Sequence, residues 1–258
     1  MTAHVPEWIP GVSRVAVLTG AGISTDSGIP DYRGPSGVWT RDPELVGLFT
    51  RENFLGDPGV RRRFWRSIAE LHREDARPNA AHRALADLER SGTALRILTQ
   101  NVDGLHQKAG TTPRKVVELH GAMGTSSCLE CRTESPTSAV LARVAAGEDD
   151  PACAHCGGMI QPSIVLFGQY LDEAVLSLAA GVARASQLFL AIGSSLKVEP
   201  AAGLCAAAVE GGATLVIVNR DETPYDDLAT EIIREPIGTA VPRLCAALAE
   251  RRTAPSHP

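Results

Sequence analysis

Six apolar runs, separated by stretches with helical periodicity, constrain the fold of this chain more than any other feature. The runs read RVAVLT (14–19), LRILT (95–99), KVVEL (115–119), SIVLF (163–167), LFLAIG (188–193) and TLVIV (214–218). Most of them lack the alternation of a half-exposed strand, which favours parallel strands covered on both faces. Candidate helices between and after the runs cover residues 58–74, 79–90, 172–185, 199–210 and 238–250. This order predicts an α/β fold built on a doubly wound parallel sheet.

Two stretches do not fit the rhythm of that sheet. Residues 31–78 hold more chain than a single crossover needs, and residues 121–162 hold four cysteines but few strand signals. We interpret both stretches as insertions that form a second, smaller layer. With 258 residues and 44% apolar composition, the chain can bury a sizeable core beside such insertions.

Charge and hydropathy disfavour several classes of partner. The formal net charge is −5 and no long basic stretch is present, so no nucleic-acid partner is expected. No apolar stretch approaches the roughly 20 residues that span a membrane. The N-terminal sequence MTAHVPEWIPG lacks the basic and apolar regions of a signal peptide. We therefore expect a cytoplasmic protein with no membrane partner, in a compartment where disulfides are rare.

Four of the six cysteines form two C-x2-C pairs. Cys128 and Cys131 make the first pair and Cys153 and Cys156 the second, with 21 residues between the pairs. This spacing predicts a four-thiolate zinc site, whose closed tetrahedral shell leaves no position for water and is therefore structural. Disulfides and unpaired core thiols are the alternatives, and the expected reducing compartment disfavours disulfides. The two remaining cysteines and one nearby histidine are predicted to lie outside the site: Cys205 and Cys245 as buried core thiols, and His155 as a loop residue.

Polar and glycine residues follow most of the predicted strands. In open α/β sheets, ligands bind beyond the carboxyl ends of the strands. The first strand is followed by GAGISTDSGIPDYRG, in which Gly20 and Gly22 permit a tight turn that presents backbone N–H groups to a phosphate. Thr25 interrupts the G-x-G-x-x-G pattern, so an ordinary glycine-rich turn remains an alternative. The residues after the later strands are Thr99, Gln100, Asn101, Asp103 and His106, then His120, then Ser194 and Ser195, then Asn219 and Asp221. Five polar strand ends on one crevice predict a site for a large polar ligand such as a dinucleotide.

These motifs together resemble the sirtuin family of NAD-dependent protein lysine deacylases, over about residues 12–250. GAGIS and SGIPDYRG resemble the family's cofactor loop, and TQNVDGLHQKAG resembles its nicotinamide-pocket motif. LHG resembles the catalytic-histidine motif, and the paired C-x2-C pattern resembles the zinc module. SIVLFG, GSSL and NRDETPYDD resemble the acyl-lysine strand, the ribose and phosphate turn and the adenosine-side segment.

The resemblance implies a fold and a domain division. A Rossmann-like NAD-binding domain would comprise residues 1–30, 79–121 and 162–258. A smaller domain, with a helical insertion (31–78) and a four-cysteine zinc module (122–161), would complete the fold. Substrate would lie in the cleft between the two domains.

The implied activity is the NAD-dependent removal of acyl groups, acetyl first, from lysine side chains of proteins or peptides. The products would be nicotinamide, O-acyl-ADP-ribose and free lysine. His120 would be the general base, and Asn101 would organise the ribose and a water. The matching NAD-binding positions are Gly20, Ala21, Gly22, Ser24, Ile29, Asp31, Tyr32, Arg33, Gln100, Asn101, Asp103, Gly193, Ser194, Ser195, Asn219, Asp221 and Ile237. Positive charge develops at the ribose during transfer, which accounts for the absence of Lys and Arg from residues 98–106.

The acyl-lysine positions are Val165, Phe167, Gly168 and Gln169 by the same resemblance. Three residues depart from the family's pattern: Tyr32 where Phe is usual, Gln161 where Arg or Lys is usual, and Gln169 where Glu is usual. Family members that prefer succinyl or malonyl lysine carry Tyr and Arg at the positions of Trp65 and Ile68. A carboxylate placed there would be desolvated without a paired cation, so we expect a preference for neutral acyl groups.

Three other functions are compatible with parts of the pattern. An ADP-ribosyltransferase or NAD glycohydrolase would use the same pocket, but the presence of His120 disfavours it. A dehydrogenase would account for the sheet but not for the four cysteines. A non-catalytic zinc-dependent binding module would not account for the set formed by Gln100, Asn101, Asp103 and His120.

The other histidines are expected to be structural or exposed. His4 and His257 are near the termini, and His72 and His82 are interpreted as surface residues of helices. His106 is expected to make a structural hydrogen bond. Only His120 ends a strand directly before a glycine.

Overall fold

The computed structural model describes residue 6 and residues 8–253; the expectations for His4, for His257 and for most of the N-terminal stretch therefore concern positions outside the described residues. The described strands are β1 (Arg14–Thr19), β2 (Ala94–Thr99), β3 (Val116–Glu118), β4 (Gly121–Cys128), β5 (Glu134–Pro136), β6 (Ile160–Ile164), β7 (Leu188–Ile192), β8 (Thr214–Val218) and β9 (Glu231–Ile233). The α-helices are α1 (Val38–Arg41), α2 (Leu45–Leu48), α3 (Arg51–Gly56), α4 (Pro58–Leu71), α5 (Ala80–Arg90), α6 (Leu105–Lys108), α7 (Thr137–Ala145), α8 (Glu173–Ala185), α9 (Leu204–Glu210) and α10 (Ile237–Thr253). Short 3-10 helices cover Ala21–Ser27, Pro113–Lys115 and Asp226–Leu228.

The larger sheet has six parallel strands in the order β3-β2-β1-β7-β8-β9. From β1 the chain first adds strands on one side, through β2 and β3, and later on the other side, through β7, β8 and β9. The strand order therefore reverses between β1 and β7, the position at which ligands bind in such sheets. The predicted Rossmann-like sheet is confirmed.

Helices cover both faces of this sheet, which explains the continuous apolar runs. Val15 and Val17 of β1 pack with α5 and α10 on one face. Ala16 and Leu18 of the same strand pack with α8 and α9 on the other face. Because neither face is exposed beyond Arg14, every position from Val15 to Leu18 is apolar.

A second layer contains the antiparallel sheet β5-β4-β6 together with α1–α4 and α7. Its core contains Phe54, Phe64 and Trp65 from the helical insertion, packed with Cys128, Val140 and Ile160 from the cysteine-containing insertion. The two insertions therefore share one apolar cluster, although the sequence separates them.

The predicted strand over residues 163–167 is only partly correct. β6 ends at Ile164 and pairs antiparallel with β4 in the smaller sheet, not with the parallel sheet. Residues beyond Ile164 turn towards the cavity described below, and Ile164 and Leu166 complete the core of the second layer. The run is apolar because Ile164 and Leu166 are buried while Val165 and Phe167 border the cavity. The sequence of such a run does not by itself specify the sheet that it joins.

Helix ends follow local chemistry. Asp57 caps α4 by accepting a hydrogen bond from the Gly59 N–H, with Pro58 at the first helical position. Asn79 caps α5, and the His82 side chain accepts from the Asn79 N–H in return.

The predicted helix over residues 199–210 begins later, at Leu204. None of the helices within the described part of the chain is long and apolar enough to cross a membrane.

Candidate functional site

The carboxyl ends of β1, β2, β7 and β8 border a cavity of about 1000 Å³ that extends to the second layer. This volume is sufficient for a dinucleotide together with a side chain. Every residue that the sequence assigned to NAD, to catalysis or to the acyl-lysine lines the cavity, with the exception of Ser24. The sequence did not indicate Trp39, His72 or Lys197, which also line it.

Glycines bring the first turn close to the turn after β7. The Gly22 N–H donates to the Gly193 carbonyl at 2.8 Å. A Cβ at Gly22 would stand 2.8 Å from that oxygen, and Gly193 itself has φ of +62°. Larger residues would therefore separate the two turns at the point where strand order reverses.

Ser24 supports the cavity wall from behind. It is fully buried, and its hydroxyl donates to Asp103 Oδ2 at 2.7 Å. It also accepts from Asn101 Nδ2 at 3.2 Å. The expected donor to a phosphate is thus engaged with two residues of the TQNVD segment (residues 99–103), because the 3-10 helix turns Ser24 inwards.

The end of β2 fixes three polar side chains. Asn101 Nδ2 also donates to the Gly20 carbonyl at 3.2 Å. Gln100 Nε2 donates to Ser194 Oγ at 3.0 Å, which connects the turns after β2 and β7. The Asp103 carboxylate accepts from the Leu105 N–H at 2.9 Å in addition to its bond from Ser24. These bonds preorganise amide and carboxylate groups along one wall.

His120 lies between β3 and β4 with its Nδ1 atom 3.0 Å from the Gln100 carbonyl oxygen. A carbonyl can only accept, so Nδ1 carries the hydrogen and Nε2 of the neutral ring has a free lone pair. Burial lowers the pKa of His120 below its usual 6.5, and the bond to Gln100 partly offsets this effect. The ring is therefore a neutral base at physiological pH.

An aromatic wall connects the cofactor loop to the acyl-lysine segment. The Tyr32 and Trp39 rings stack with centroids 4.5 Å apart, and Trp39 lies 5.2 Å from Phe167. The Arg33 guanidinium stands 4.5 Å above the Trp39 ring. The sequence GVW (residues 37–39) could have indicated Trp39 as a site residue, because this aromatic residue comes directly after the glycine-rich loop.

The opposite end of the cavity is polar and contains an ion pair between Arg220 and Asp221. Asn219 Nδ2 donates to the Asp221 carbonyl at 2.8 Å. Arg220 contacts the Asp221 carboxylate through two nitrogen atoms and holds the pKa of that carboxyl below its ordinary value. Ile237, the first residue of α10, lines the same end.

Neutral side chains secure the segment that follows β6. Gln161, only 5% exposed, donates through Nε2 to the Ile164 carbonyl at 3.0 Å and to Gln169 Oε1 at 3.4 Å. The Val165 N–H donates to the His120 carbonyl at 2.9 Å. The two departures from the family's charged pattern therefore lie next to each other.

The structure corrects two expectations about histidines. His82 is fully buried, because it packs on the inner face of α5, and His72 is half-buried and borders the cavity. The predicted structural bond of His106 is confirmed: its Nε2 atom lies 3.0 Å from Thr19 Oγ1.

The four paired cysteines converge at one point of the second layer. Their sulfur atoms all lie within 4.8 Å of one another, with Cys128–Cys156 at 3.5 Å and Cys131–Cys153 at 3.7 Å. A Zn–S distance of about 2.3 Å in a tetrahedron corresponds to sulfur separations of about 3.8 Å. The set therefore fits a zinc ion and does not form disulfides. Cys205 and Cys245 are buried elsewhere, as predicted.

Comparisons with known proteins agree with this geometry. The model of the Sir2 family matches residues 20–200. NAD-dependent protein deacetylase 2 of Streptomyces coelicolor is 58% identical over 241 residues, covering 92% of this chain and 99% of that protein. An NAD-dependent protein deacetylase of Saccharolobus solfataricus is 42% identical over 243 residues, covering 93% of this chain and 94% of that protein.

A solved structure of Sir2 with a p53 peptide and NAD+ has a TM-score of 0.82 and 37% identity, covering 93% of this chain and 95% of that one. Another, with a deacetylated p53 peptide and 3'-O-acetyl ADP-ribose, has a TM-score of 0.86, 37% identity and the same coverage. The chain belongs to the Sir2 family.

Proposed function

We propose that this protein removes acetyl groups from lysine side chains with NAD as cosubstrate, giving nicotinamide, O-acetyl-ADP-ribose and free lysine. The observation that carries the proposal is the unprotonated Nε2 atom of His120. This residue lines a cavity that Asn101 and Asp103 also line. Relatives of the chain are named NAD-dependent protein deacetylases. The solved Sir2 structures include complexes with NAD and with acetylated peptide.

The cavity residues fit NAD in chemical type. The glycine turn after β1 and the serines after β7 offer small residues and hydroxyl groups, and the TQNVD segment offers amide and carboxylate groups. NAD, when bound, supplies an ADP-ribosyl group that is transferred to the acyl oxygen as nicotinamide departs. We assign the NAD-binding roles to the set derived above by resemblance, with Ser24 acting through Asp103 and Asn101.

The polar residues that follow β2, together with His120, perform the central steps in this proposal. Asp103 holds the nicotinamide carboxamide, and its negative charge, with the uncharged amides of Gln100 and Asn101, favours the positive charge that develops at the ribose. Asn101 orients the ribose and a water molecule. His120 takes a proton from a ribose hydroxyl through Nε2, while Nδ1 stays bonded to the Gln100 carbonyl.

The acyl-lysine lies in the cleft between two domains in this proposal. Residues 31–78 and 122–161 form the smaller domain, and the remainder forms the NAD-binding domain. Val165 offers its carbonyl to the acyl-lysine N–H, and its own N–H donates to the His120 carbonyl, which holds the backbone in place. Phe167 lines the acyl tunnel, and Gly168 and Gln169 border the peptide. Four reduced thiolates are consistent with a cytoplasmic location.

The test of the proposed function is product analysis by mass spectrometry. With NAD and an acetyl-lysine peptide, we expect free lysine peptide, nicotinamide and O-acetyl-ADP-ribose in equal amounts. Protein-bound ADP-ribose without O-acetyl-ADP-ribose would instead identify a transferase. Consumption of NAD independent of the peptide would identify a glycohydrolase.

Acyl selectivity should favour acetyl over succinyl lysine. Ile68 lines the cavity and Trp65 is fully buried beside it. Arg66 does not approach, since it is exposed and paired with Asp149 at 2.9 Å. A succinyl carboxylate would thus be desolvated beside apolar groups. We expect kcat/KM for one peptide to be at least about tenfold higher with the acetyl group, which corresponds to about 1.4 kcal/mol. A preference for succinyl would show that a cation reaches the acyl pocket.

A further inference from the structure

Two buried histidines lie behind the site and have no part in the proposed chemistry. His82 of α5 and His106 of α6 are 0% and 1% exposed, and their ring centroids are 4.9 Å apart. Burial lowers the pKa of His82 to about 4 and that of His106 to about 3. Both rings are therefore neutral at physiological pH, and each has one protonated and one unprotonated nitrogen.

A continuous chain of hydrogen bonds connects His106 to Asn101. His106 Nε2 lies 3.0 Å from Thr19 Oγ1, and the Thr19 hydroxyl donates to Thr99 Oγ1 at 2.8 Å. Thr99 Oγ1 also accepts from the Asn101 N–H at 3.0 Å. The single hydrogen of the Thr19 hydroxyl is used towards Thr99, so Thr19 can only accept from His106. His106 therefore carries its hydrogen on Nε2, and its Nδ1 is an acceptor.

The bond partners of His82 assign its tautomer as well. His82 Nδ1 accepts from the Asn79 N–H at 3.4 Å, which places the hydrogen on Nε2. Among the described residues, His82 Nε2 and His106 Nδ1 are both buried without a hydrogen-bond partner. One is a donor and the other an acceptor, on adjacent rings. Thr111 Oγ1 is a third such atom, and the Thr111 N–H donates to the His106 carbonyl at 3.2 Å.

We propose that a buried water molecule bridges His82 Nε2, His106 Nδ1 and Thr111 Oγ1, and that His106 is a positioning residue for Asn101. Three partners are typical of a buried water in a protein. The water accepts from His82 and donates to His106, which keeps the hydrogen of His106 on Nε2 and directed at Thr19. Thr19 and Thr99 then fix the backbone at Asn101.

Fixing this backbone matters because, among the described residues, only two long hydrogen bonds hold the side chain of Asn101 in place. Asn101 Nδ2 contacts the Gly20 carbonyl and Ser24 Oγ, both at 3.2 Å. A displacement of about 1 Å at a reacting centre lowers rates by about 100-fold. The catalytic consequence rests on the proposed function, whereas the tautomers and the water do not.

The first experiment observes the network without any activity measurement. Imidazole ¹⁵N spectra of the whole protein should show both His82 and His106 as neutral rings with the hydrogen on Nε2. A high-resolution crystal structure should place a water within hydrogen-bond distance of both rings. A hydrogen on Nδ1 of His106, or a dry contact between the rings, would overturn the proposal even in an active deacetylase.

The second experiment separates positioning from stability. His106→Leu removes the donor to Thr19, and His106→Gln retains an N–H donor near the position of Nε2. We expect the leucine variant to lose about 10- to 100-fold in kcat with a peptide KM within about twofold of the unchanged protein. The glutamine variant should recover most of that loss.

Two further variants keep this experiment decisive. Leu88→Ala destabilises α5, the helix that carries His82, at a fully buried position outside the network, and it should leave kcat unchanged below its unfolding temperature. Thr99→Val removes the acceptor of the Asn101 N–H with little change of shape and should reproduce the loss of kcat. Equal kcat for the leucine, glutamine and unchanged proteins, or no effect of Thr99→Val, would overturn the positioning role.

Discussion

Replacing His120 with alanine should abolish deacetylation while leaving the fold intact. Removal of a general base costs on the order of 10²- to 10⁴-fold in rate. The side chain lines the cavity at the junction of β3 and β4, and among the described residues it makes one hydrogen bond, to the Gln100 carbonyl. Its loss therefore affects the chemistry more than the packing. Steady-state turnover of an acetyl-lysine peptide and the thermal unfolding temperature measure the two effects separately.

His120→Asn provides the matched control for this prediction. Asparagine can keep a donor near the position of Nδ1, and thus the contact with Gln100, but it has no basic nitrogen. If His120 acts as a base, both variants should be inactive. Exchange of labelled nicotinamide into NAD should persist in both, because that step precedes the proton transfer. Full deacetylation by either variant would refute the assignment.

The pH profile of the unchanged protein tests the same assignment. Burial lowers the pKa of His120 below 6.5, so the neutral base persists at a lower pH than for an exposed histidine. The acidic limb of kcat/KM should therefore fall below pH 6.5. A limb centred above neutral pH would point to a different titrating group.

The parallel sheet was predictable from sequence because its central strands β1, β7 and β8 are buried on both faces. Val15 and Val17 contact one layer of helices and Ala16 and Leu18 the other, so no alternation interrupts the run. The same physics explains the failure at residues 163–167. Ile164 and Leu166 are buried in the core of the second layer, whereas Val165 and Phe167 line the cavity. An apolar run does not specify which sheet it joins.

The strands that sequence reasoning missed have either few apolar residues or only a very short apolar run. β4 reads GAMGTSSC and is rich in glycine and serine, since its pairing is fixed by the flanking cysteine cluster and by β6. β9 has only three residues and owes its place to β8 and to the Trp8–Glu231 hydrogen bond of 2.6 Å. Long-range contacts of this kind leave little trace in local sequence.

The candidate site was largely predictable, because its residues follow strand ends in order along the chain. His82 was misassigned although its position carried a signal. It lies three residues before Leu85 and four before Ala86, the spacing of one helical face, and both of those residues are fully buried. A polar residue on an apolar face was interpreted as exposed, whereas its capping bond and the neighbouring His106 accommodate it.

Cys128→Ala should remove the metal and unfold the cysteine-containing part of the second layer. Binding of structural zinc contributes apparent free energies on the order of 10 kcal/mol in small zinc modules. The four sulfurs hold together residues 128–131 and 153–156, between which the chain makes only a short strand and α7. We expect one zinc per chain in the unchanged protein and less than one in the variant, by metal analysis, with a lower unfolding temperature.

Loss of the zinc module should lower activity indirectly, through the helix that borders the acyl pocket. Arg61 of α4 donates to both carboxylate oxygens of Asp150, and the cluster around Cys128 also contains Trp65 and Ile68. Ile68 lines the cavity, so disorder in the module removes the packing behind the acyl group.

Cys205→Ala is the matched control, because it removes a buried thiol far from the cluster and should retain the zinc. A Cys128→Ala protein that is free of zinc but fully active and equally stable would show that the metal supports neither the module nor the pocket. Retention of a full equivalent of zinc would instead show that Cys128 is not a ligand.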